Sequence, residues 1–108
     1  MKNGRISVYI IVPSEPEASK IAESLVESRL AACVNFFPVK SVYRWEGRII
    51  RQGEYALIAK TRHSLLPALK DKVASMHPDA VPCITAWQIS GGNEEYLKWV
   101  DEETSYGK

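Results

Sequence analysis

Three side chains in this sequence could together bind a transition metal: Cys33, His77 and Cys83. Thiolate and imidazole are typical ligands of copper and zinc, and Met76 could assist a soft copper(I) ion. The three residues have no chelating spacing within one helix or strand, so a site has to be assembled in three dimensions, including across subunits. Without a metal, Cys33 would simply be a small core residue. The His77 imidazole would then interact with the C-terminus of its helix.

Nucleophilic catalysis by either cysteine is disfavoured. His63 and His77 are available as bases, but no nucleophile motif surrounds Cys33 or Cys83. The Gly91-Gly92-Asn93 segment lacks the Lys-Ser/Thr that follows a phosphate-binding loop, so it predicts a turn and a helix cap. We therefore expect a protein that is not an enzyme.

Length and composition set the class of protein. The 108 residues are 45% apolar and 25% charged, which predicts one globular domain over residues 1–108. The net charge is +1 with no basic stripe beside the aromatic residues, so we expect no nucleic-acid partner. The apolar run at 6–13 is too short for a signal peptide or a membrane span. With only two cysteines, these observations predict a cytoplasmic protein that does not associate with membranes.

Alternating apolar residues predict four strands, at 6–12, 31–45, 49–60 and 83–89. The second and third strands, joined by a tight turn at Glu46-Gly47-Arg48, form an unusually long hairpin. Pro38 cannot donate a ladder hydrogen bond, so its strand is expected at a sheet edge or at a bulge.

Apolar residues at helical spacing predict three helices. Ser14 and Glu17 have the spacing of a capping box at the start of the first helix. The second helix starts at about Ser64 and is closed at His77, which precedes a proline. Asn93 can cap the third helix near the C-terminus.

This order of elements favours an α/β fold of the α+β kind: a ferredoxin-like split β-α-β sandwich with a long β2-β3 hairpin and an extra C-terminal helix. Its helices would cover one sheet face and leave the other bare. The apolar residues expected there are Tyr9, Ile11, Phe36 or Phe37, Ile58, Trp87 and Ile89. A bare apolar face and an overlong hairpin both indicate a cyclic homo-oligomer. The aromatic residues assigned to its core and interfaces are Tyr43, Trp45, Trp87 and Trp99.

Five ordered motifs carry a resemblance to a known family. They are Leu30-Ala31-Ala32-Cys33-Val34-Asn35, Ser41-Val42-Tyr43-Arg44-Trp45-Glu46-Gly47, Ala59-Lys60-Thr61, His77-Pro78 with Val81-Pro82, and Gly92-Asn93-x-x-Tyr96-Leu97-x-Trp99. Together they resemble the CutA divalent-cation tolerance proteins over nearly the whole chain. The resemblance implies a ferredoxin-like homotrimer in which hairpins and C-terminal segments join neighbouring subunits. It also implies a role in tolerance of divalent cations, especially copper, with metal binding in similar proteins.

The sequence departs from the family pattern near His77. Family members usually have Tyr after the His-Pro pair and Glu after the later proline, whereas this chain has Asp79 and Cys83. Members credited with copper binding also offer a Cys late in the first strand and a second His, where this chain has Ile10 and Met76. Most of that ligand set is therefore missing here.

Two functions follow as expectations. The first is a homotrimer that acts in metal-ion tolerance as a metal-binding, scaffold or signalling protein, with copper or another divalent cation as its expected cofactor. The second is a sensor similar to the trimeric PII-like proteins, with a small-molecule ligand in an inter-subunit cleft. That cleft would be lined by Lys60, His77, Asp79 and Cys83.

Overall fold

The structure is a computed structural model that describes residues 4–105. A four-stranded antiparallel sheet has the strand order β2-β3-β1-β4, and three helices pack against it. The elements, in chain order, are β1 (Arg5–Val12), α1 (Glu15–Glu27), β2 (Cys33–Trp45), β3 (Arg48–Arg62), a 3-10 turn (His63–Leu65), α2 (Leu66–Met76), β4 (Cys83–Ile89) and α3 (Glu94–Glu103).

The core lies between the sheet and helices α1 and α2. Alternate side chains of the central strand β1 are buried because they face these helices, whereas the intervening ones face away. The buried side chains of this strand are Ile6, Val8, Ile10 and Val12, and they pack against apolar residues of both helices. The split β-α-β arrangement predicted from the sequence is confirmed.

The start of α1 differs from the predicted capping box. Pro16 lies in the first turn, as expected, but the Ser14 hydroxyl donates to Glu17 Oε1 at 2.8 Å. Neither side chain bonds a backbone N–H at this helix end, because the hydroxyl and the carboxylate satisfy each other instead. Asn93, by contrast, caps α3 as predicted, since its side-chain oxygen accepts from Glu95 N at 3.0 Å.

The β2-β3 hairpin projects well beyond the rest of the sheet. β1 pairs with β3 only over Tyr55–Arg62, so residues 48–54 of β3 have β2 as their only partner strand. At about 3.3 Å per residue, this overhang is about 23 Å long. Glu46 and Gly47 form its two-residue turn with φ of 50° and 79°. Pro38 lies on β2, which is one of the two edge strands of the sheet, so its predicted edge position is confirmed.

The second sheet face is not fully bare, because α3 lies across one end of it. Arg5 and Arg62 lie opposite each other in register on this face, and both contact α3 or its C-cap. Arg5 forms a bidentate ion pair with Asp101, with N···O distances of 3.0 and 2.6 Å. Arg62 donates to the hydroxyl and the carbonyl of Thr104.

The rest of this second face, which we call the open face, has no helix over it. Trp87 is 53% exposed there, and its ring centroid lies 5.3 Å from that of Tyr9. Of the two phenylalanines between which the sequence left the choice open, Phe37 lies on the open face, because it pairs with Ala56 in the row of Ile11. Phe36 points to the helix side.

Candidate functional site

A cleft of about 810 Å³ lies between the hairpin and the loop that joins α2 to β4. Its size is within the range of small-molecule sites. It is lined by Ile11, Lys40, Ser41, Val42, Tyr43, Trp45, Glu54, Pro78, Asp79, Ala80, Val81 and Cys83. Two of the predicted cleft residues, Asp79 and Cys83, are therefore brought together here.

His77 anchors the loop that forms one wall of the cleft. The ring is buried, and its Nε2 lies 2.6 Å from the carbonyl oxygen of Ile11. Its Nδ1 accepts from the backbone N–H of Asp79 at 3.1 Å. Because the Ile11 carbonyl can only accept and the Asp79 N–H can only donate, these two contacts fit the tautomer with its proton on Nε2. Both nitrogens are thus engaged by the backbone, which makes His77 a positioning residue in the single chain.

Cys83 is the first residue of the edge strand β4, where it pairs in register with Ile11 of β1. The residue is exposed overall, but the protein atoms around its thiol raise its pKa above the ordinary value, and the nearby Glu54 carboxylate raises it further. A hydrogen bond from the backbone of Ile11 acts in the opposite direction. Since the thiolate is the nucleophile, a raised pKa makes Cys83 less reactive than an ordinary cysteine at neutral pH.

Glu54 is a cleft residue that the sequence analysis missed. It lines the cleft, and the residue as a whole is 9% exposed. Within residues 4–105, no hydrogen bond or ion pair to its carboxylate is found. Strand alternation was the sequence signal that could have identified Glu54. It precedes Ala56 by two residues in β3, so its side chain lies on the same sheet face as those of Ala56 and Ile58.

Cys33 and Lys60 lie at the opposite end of the sheet from the cleft. They pair with each other in register, four residues along the strands from the row that contains Cys83. That separation is about 13 Å along the strands, and Cys33 and Cys83 are also three strand spacings apart. Lys60 Nζ donates to Asn35 Oδ1 at 2.6 Å. Within one chain, Cys33 therefore cannot share a metal ion with His77 and Cys83, and Lys60 does not line the cleft.

No group of three His, Cys, Asp or Glu side chains suited to hold a metal ion occurs within residues 4–105. The sequence-based metal site allowed ligands from more than one subunit, and in that form it stays a prediction. The four predicted interface residues are all exposed in the single chain. Tyr43 and Trp45 line the cleft, and Trp87 lies on the open face. Trp99 packs against Tyr96 on the same helix, α3, with their ring centroids 5.5 Å apart.

The strand order and helix positions define an α+β domain of the ferredoxin-like class, extended by a projecting hairpin and a third helix. Residues 6–103 match the family model of the CutA1 divalent ion tolerance protein, and the chain belongs to that family. The predicted family resemblance is confirmed.

Individual relatives agree with this assignment. The chain is 49% identical over 98 residues to the divalent-cation tolerance protein CutA of Thermus thermophilus, which covers 90% of this chain and 95% of the relative. It is 44% identical over 100 residues to the chloroplastic protein CutA of Arabidopsis thaliana, spanning 92% of this chain and 55% of that protein. A solved structure of the periplasmic divalent cation tolerance protein CutA from Archaeoglobus fulgidus has a TM-score of 0.92 at 44% identity, with 94% and 99% of the two chains covered.

Within residues 4–105, no helix is long and apolar enough to cross a membrane. The Arabidopsis relative is named as chloroplastic and the Archaeoglobus relative as periplasmic. The cytoplasmic location of this chain stays a prediction.

Proposed function

We propose that this chain works as a homotrimer in the response to divalent cations, with copper as the first metal to test. The observation that carries the proposal is the open face. Trp87 and Phe37 are exposed there on a sheet with two free edges, next to a hairpin that extends about 23 Å beyond the other strands. A ring of three copies would cover this apolar surface and give the hairpin a partner.

Metal binding in such a trimer is supported by the donor groups at the cleft. Cys83 offers a sulfur ligand that suits copper(I), and the carboxylates of Glu54 and Asp79 line the same cleft. The remaining ligands would come from a neighbouring copy. His77 would hold the loop in place rather than bind the ion.

The test has two parts. Sedimentation at micromolar concentration is expected to give three times the 12.1 kDa mass of one chain. Anaerobic copper(I) titration against a competing chelator is expected to show about tenfold weaker binding for Cys83→Ser, since one ligand is lost. Cys33→Ser is the matched comparison: it should bind as the wild type does unless Cys33 of a neighbouring copy is one of the remaining ligands, in which case it also binds more weakly. A monomer, or equal copper affinity in all three proteins, would contradict the proposal.

A second candidate function is favoured by the size of the cleft. A volume of about 810 Å³ greatly exceeds the space that a metal ion needs, and it is typical of sites for small organic molecules. In that case the trimer would act as a sensor, similar to PII-like proteins, whose effector binds between subunits. A bound effector would raise the melting temperature in a thermal-shift screen because it stabilises only the native state.

A binding or scaffold role, rather than catalysis, is supported by the chemistry of the cleft. The raised pKa keeps the Cys83 thiol protonated at neutral pH. The nearby imidazole of His77 has both nitrogens bonded to the backbone, so it cannot act as a base without breaking the loop anchor.

A further inference from the structure

The third helix is attached to the rest of the chain differently from the other two. Helices α1 and α2 supply part of the hydrophobic core, whereas none of the described residues of α3 belongs to that cluster. The buried apolar side chains of α3 are Leu97 and Val100, and they lie on the sheet face opposite the core. A helix of this length is not stable alone in water, so α3 depends on its contacts with the sheet.

Two arginines of the sheet hold the C-terminal end of α3. Arg5 forms the bidentate ion pair with Asp101, and Arg62 donates from Nε to the hydroxyl of Thr104 at 2.9 Å. The side chains of Arg5 and Asp101 are 33% and 36% exposed, so water and dissolved ions reach this pair. Because mobile ions screen charges at such positions, the contact weakens as the salt concentration rises.

Arg29 provides a third contact from an unusual backbone position. It follows α1 with φ of 61°, a left-handed conformation that favours glycine. Its Nη1 donates to the carbonyl oxygen of Glu103 at 3.0 Å, and this satisfies one of the carbonyls that a helix leaves free at its C-terminus. A glycine would suit the backbone of this position but could not reach α3. The side chain of Arg29 therefore serves the attachment of α3.

The segment before α3 has the properties of a hinge. Residues Ser90-Gly91-Gly92-Asn93 are all exposed and belong to no strand or helix. A Cβ added at Gly91 would meet no atom within 4 Å, so the backbone there has free space around it. Rotation about the backbone of the two glycines can therefore move α3 as a unit without disturbing β4.

We infer that α3 is a salt-sensitive lid, which opens about the Gly91-Gly92 hinge while the core stays folded. The arginine contacts keep it closed, and opening uncovers the row of Arg5 and Arg62. This row is adjacent to that of Trp87 on the open face, so the lid sets how much of the second sheet face is available to a neighbouring copy. The inference goes beyond the proposed function, and it needs neither a metal nor a small-molecule ligand.

The experiment follows amide hydrogen exchange by mass spectrometry in the full chain, at low and at high sodium chloride and at equal protein concentration. Peptides of α1 provide the reference for the core. At low salt, we expect the amides of α3 to exchange faster than those of α1, because a lid opens without global unfolding. At high salt, α3 exchange should become about tenfold faster while α1 exchange is unchanged.

Two variants test the contacts that close the lid. Asp101→Asn removes the ion pair with Arg5 and should speed α3 exchange at low salt by about tenfold, with a smaller further effect of salt. Arg29→Gly removes the contact with Glu103 but suits the left-handed backbone, so α1 should stay protected while α3 exchange rises. The matched control is Glu102→Gln, which removes a negative charge from an exposed position of the same helix. It should change α3 exchange by less than about twofold.

Three results would overturn the lid. The first is α3 exchange as slow as that of α1, and the second is salt that accelerates both helices together, because the chain then opens only as a whole. The third is an equal effect of Asp101→Asn and Glu102→Gln, which would mean that the arginine contact does not hold α3 closed.

Discussion

The two ends of the second sheet face, one beneath α3 and one at the cleft, differ in how their charged side chains are paired. At the end beneath α3, Arg5 is paired with Asp101 and Arg62 is bonded to Thr104. At the other end, Glu54 lines a cleft and has no hydrogen-bond or ion-pair partner within residues 4–105. The same strands form both ends. Charge paired within the chain therefore marks the structural end, and a carboxylate without a protein partner in the described residues marks the cleft end.

The largest expected effect is on assembly, and it tests whether the open face is an interface between copies. Trp87→Glu would place a charge on the apolar surface beside Tyr9, and an unpaired charge buried in an interface opposes association. We expect sedimentation to show monomers where the wild type forms trimers. Val26→Glu, an exposed position on α1 away from this face, should leave the trimer intact. A trimeric Trp87→Glu protein would contradict the interface assignment.

The comparison between the two ends also shows which structural features are local. The strand at Cys83–Ile89 and the edge position of Pro38 were predictable because alternation and the missing N–H of proline act within a few residues. The burial of Glu54 and the position of α3 depend on which strand rows align and on contacts between residues nearly a hundred positions apart. Lys60 lies at the other end of the sheet from the cleft of the single chain, so its place in an inter-subunit cleft stays a prediction.

The next effect concerns the structural end. Arg62→Met removes the two hydrogen bonds to Thr104 and leaves the buried hydroxyl and carbonyl of that residue with fewer donors. We expect the free energy of unfolding to fall by about 2 kcal/mol, as for bonds that involve a charged group. Urea denaturation at matched protein concentration measures this change. Arg51→Met, on the exposed overhang of the hairpin, should change stability by less than about 0.5 kcal/mol. Equal losses in both variants would mean that the contact with α3 contributes nothing.

A smaller effect follows from making the same chemical change at both ends. Glu54→Gln changes a carboxylate that has no hydrogen-bond or ion-pair partner within residues 4–105, and it should change the free energy of unfolding of the ligand-free protein by less than about 0.5 kcal/mol. Asp101→Asn removes one partner of a bidentate ion pair and should lower the free energy of unfolding by more than that. The urea midpoint should therefore fall clearly only in Asp101→Asn. Equal shifts in the two variants would show that the two ends do not differ in the proposed way.

The smallest effect concerns the thiol at the cleft end. Burial, followed by the Glu54 carboxylate, raises the pKa of Cys83 above its ordinary value of 9.0. In a Cys33→Ser background, the alkylation rate with iodoacetamide should therefore have its pH midpoint above 9.0, and Glu54→Gln should lower that midpoint. The folded thiol holds its proton more tightly than the unfolded one, so its contribution to stability is present below pH 9.0 and is lost as the pH rises through the folded value.

The thiol measurement also tests whether Glu54 is charged and close to Cys83 in the assembled protein. If a cation from a neighbouring copy already neutralised Glu54, Glu54→Gln would leave the alkylation midpoint unchanged. Burial alone would then account for any remaining shift in the Cys83 pKa. Glu102→Gln provides the comparison, because its carboxylate is exposed on α3 and is not among the groups that raise this pKa. A midpoint that moves only in Glu54→Gln would mean that the cleft keeps a free carboxylate beside the thiol after assembly.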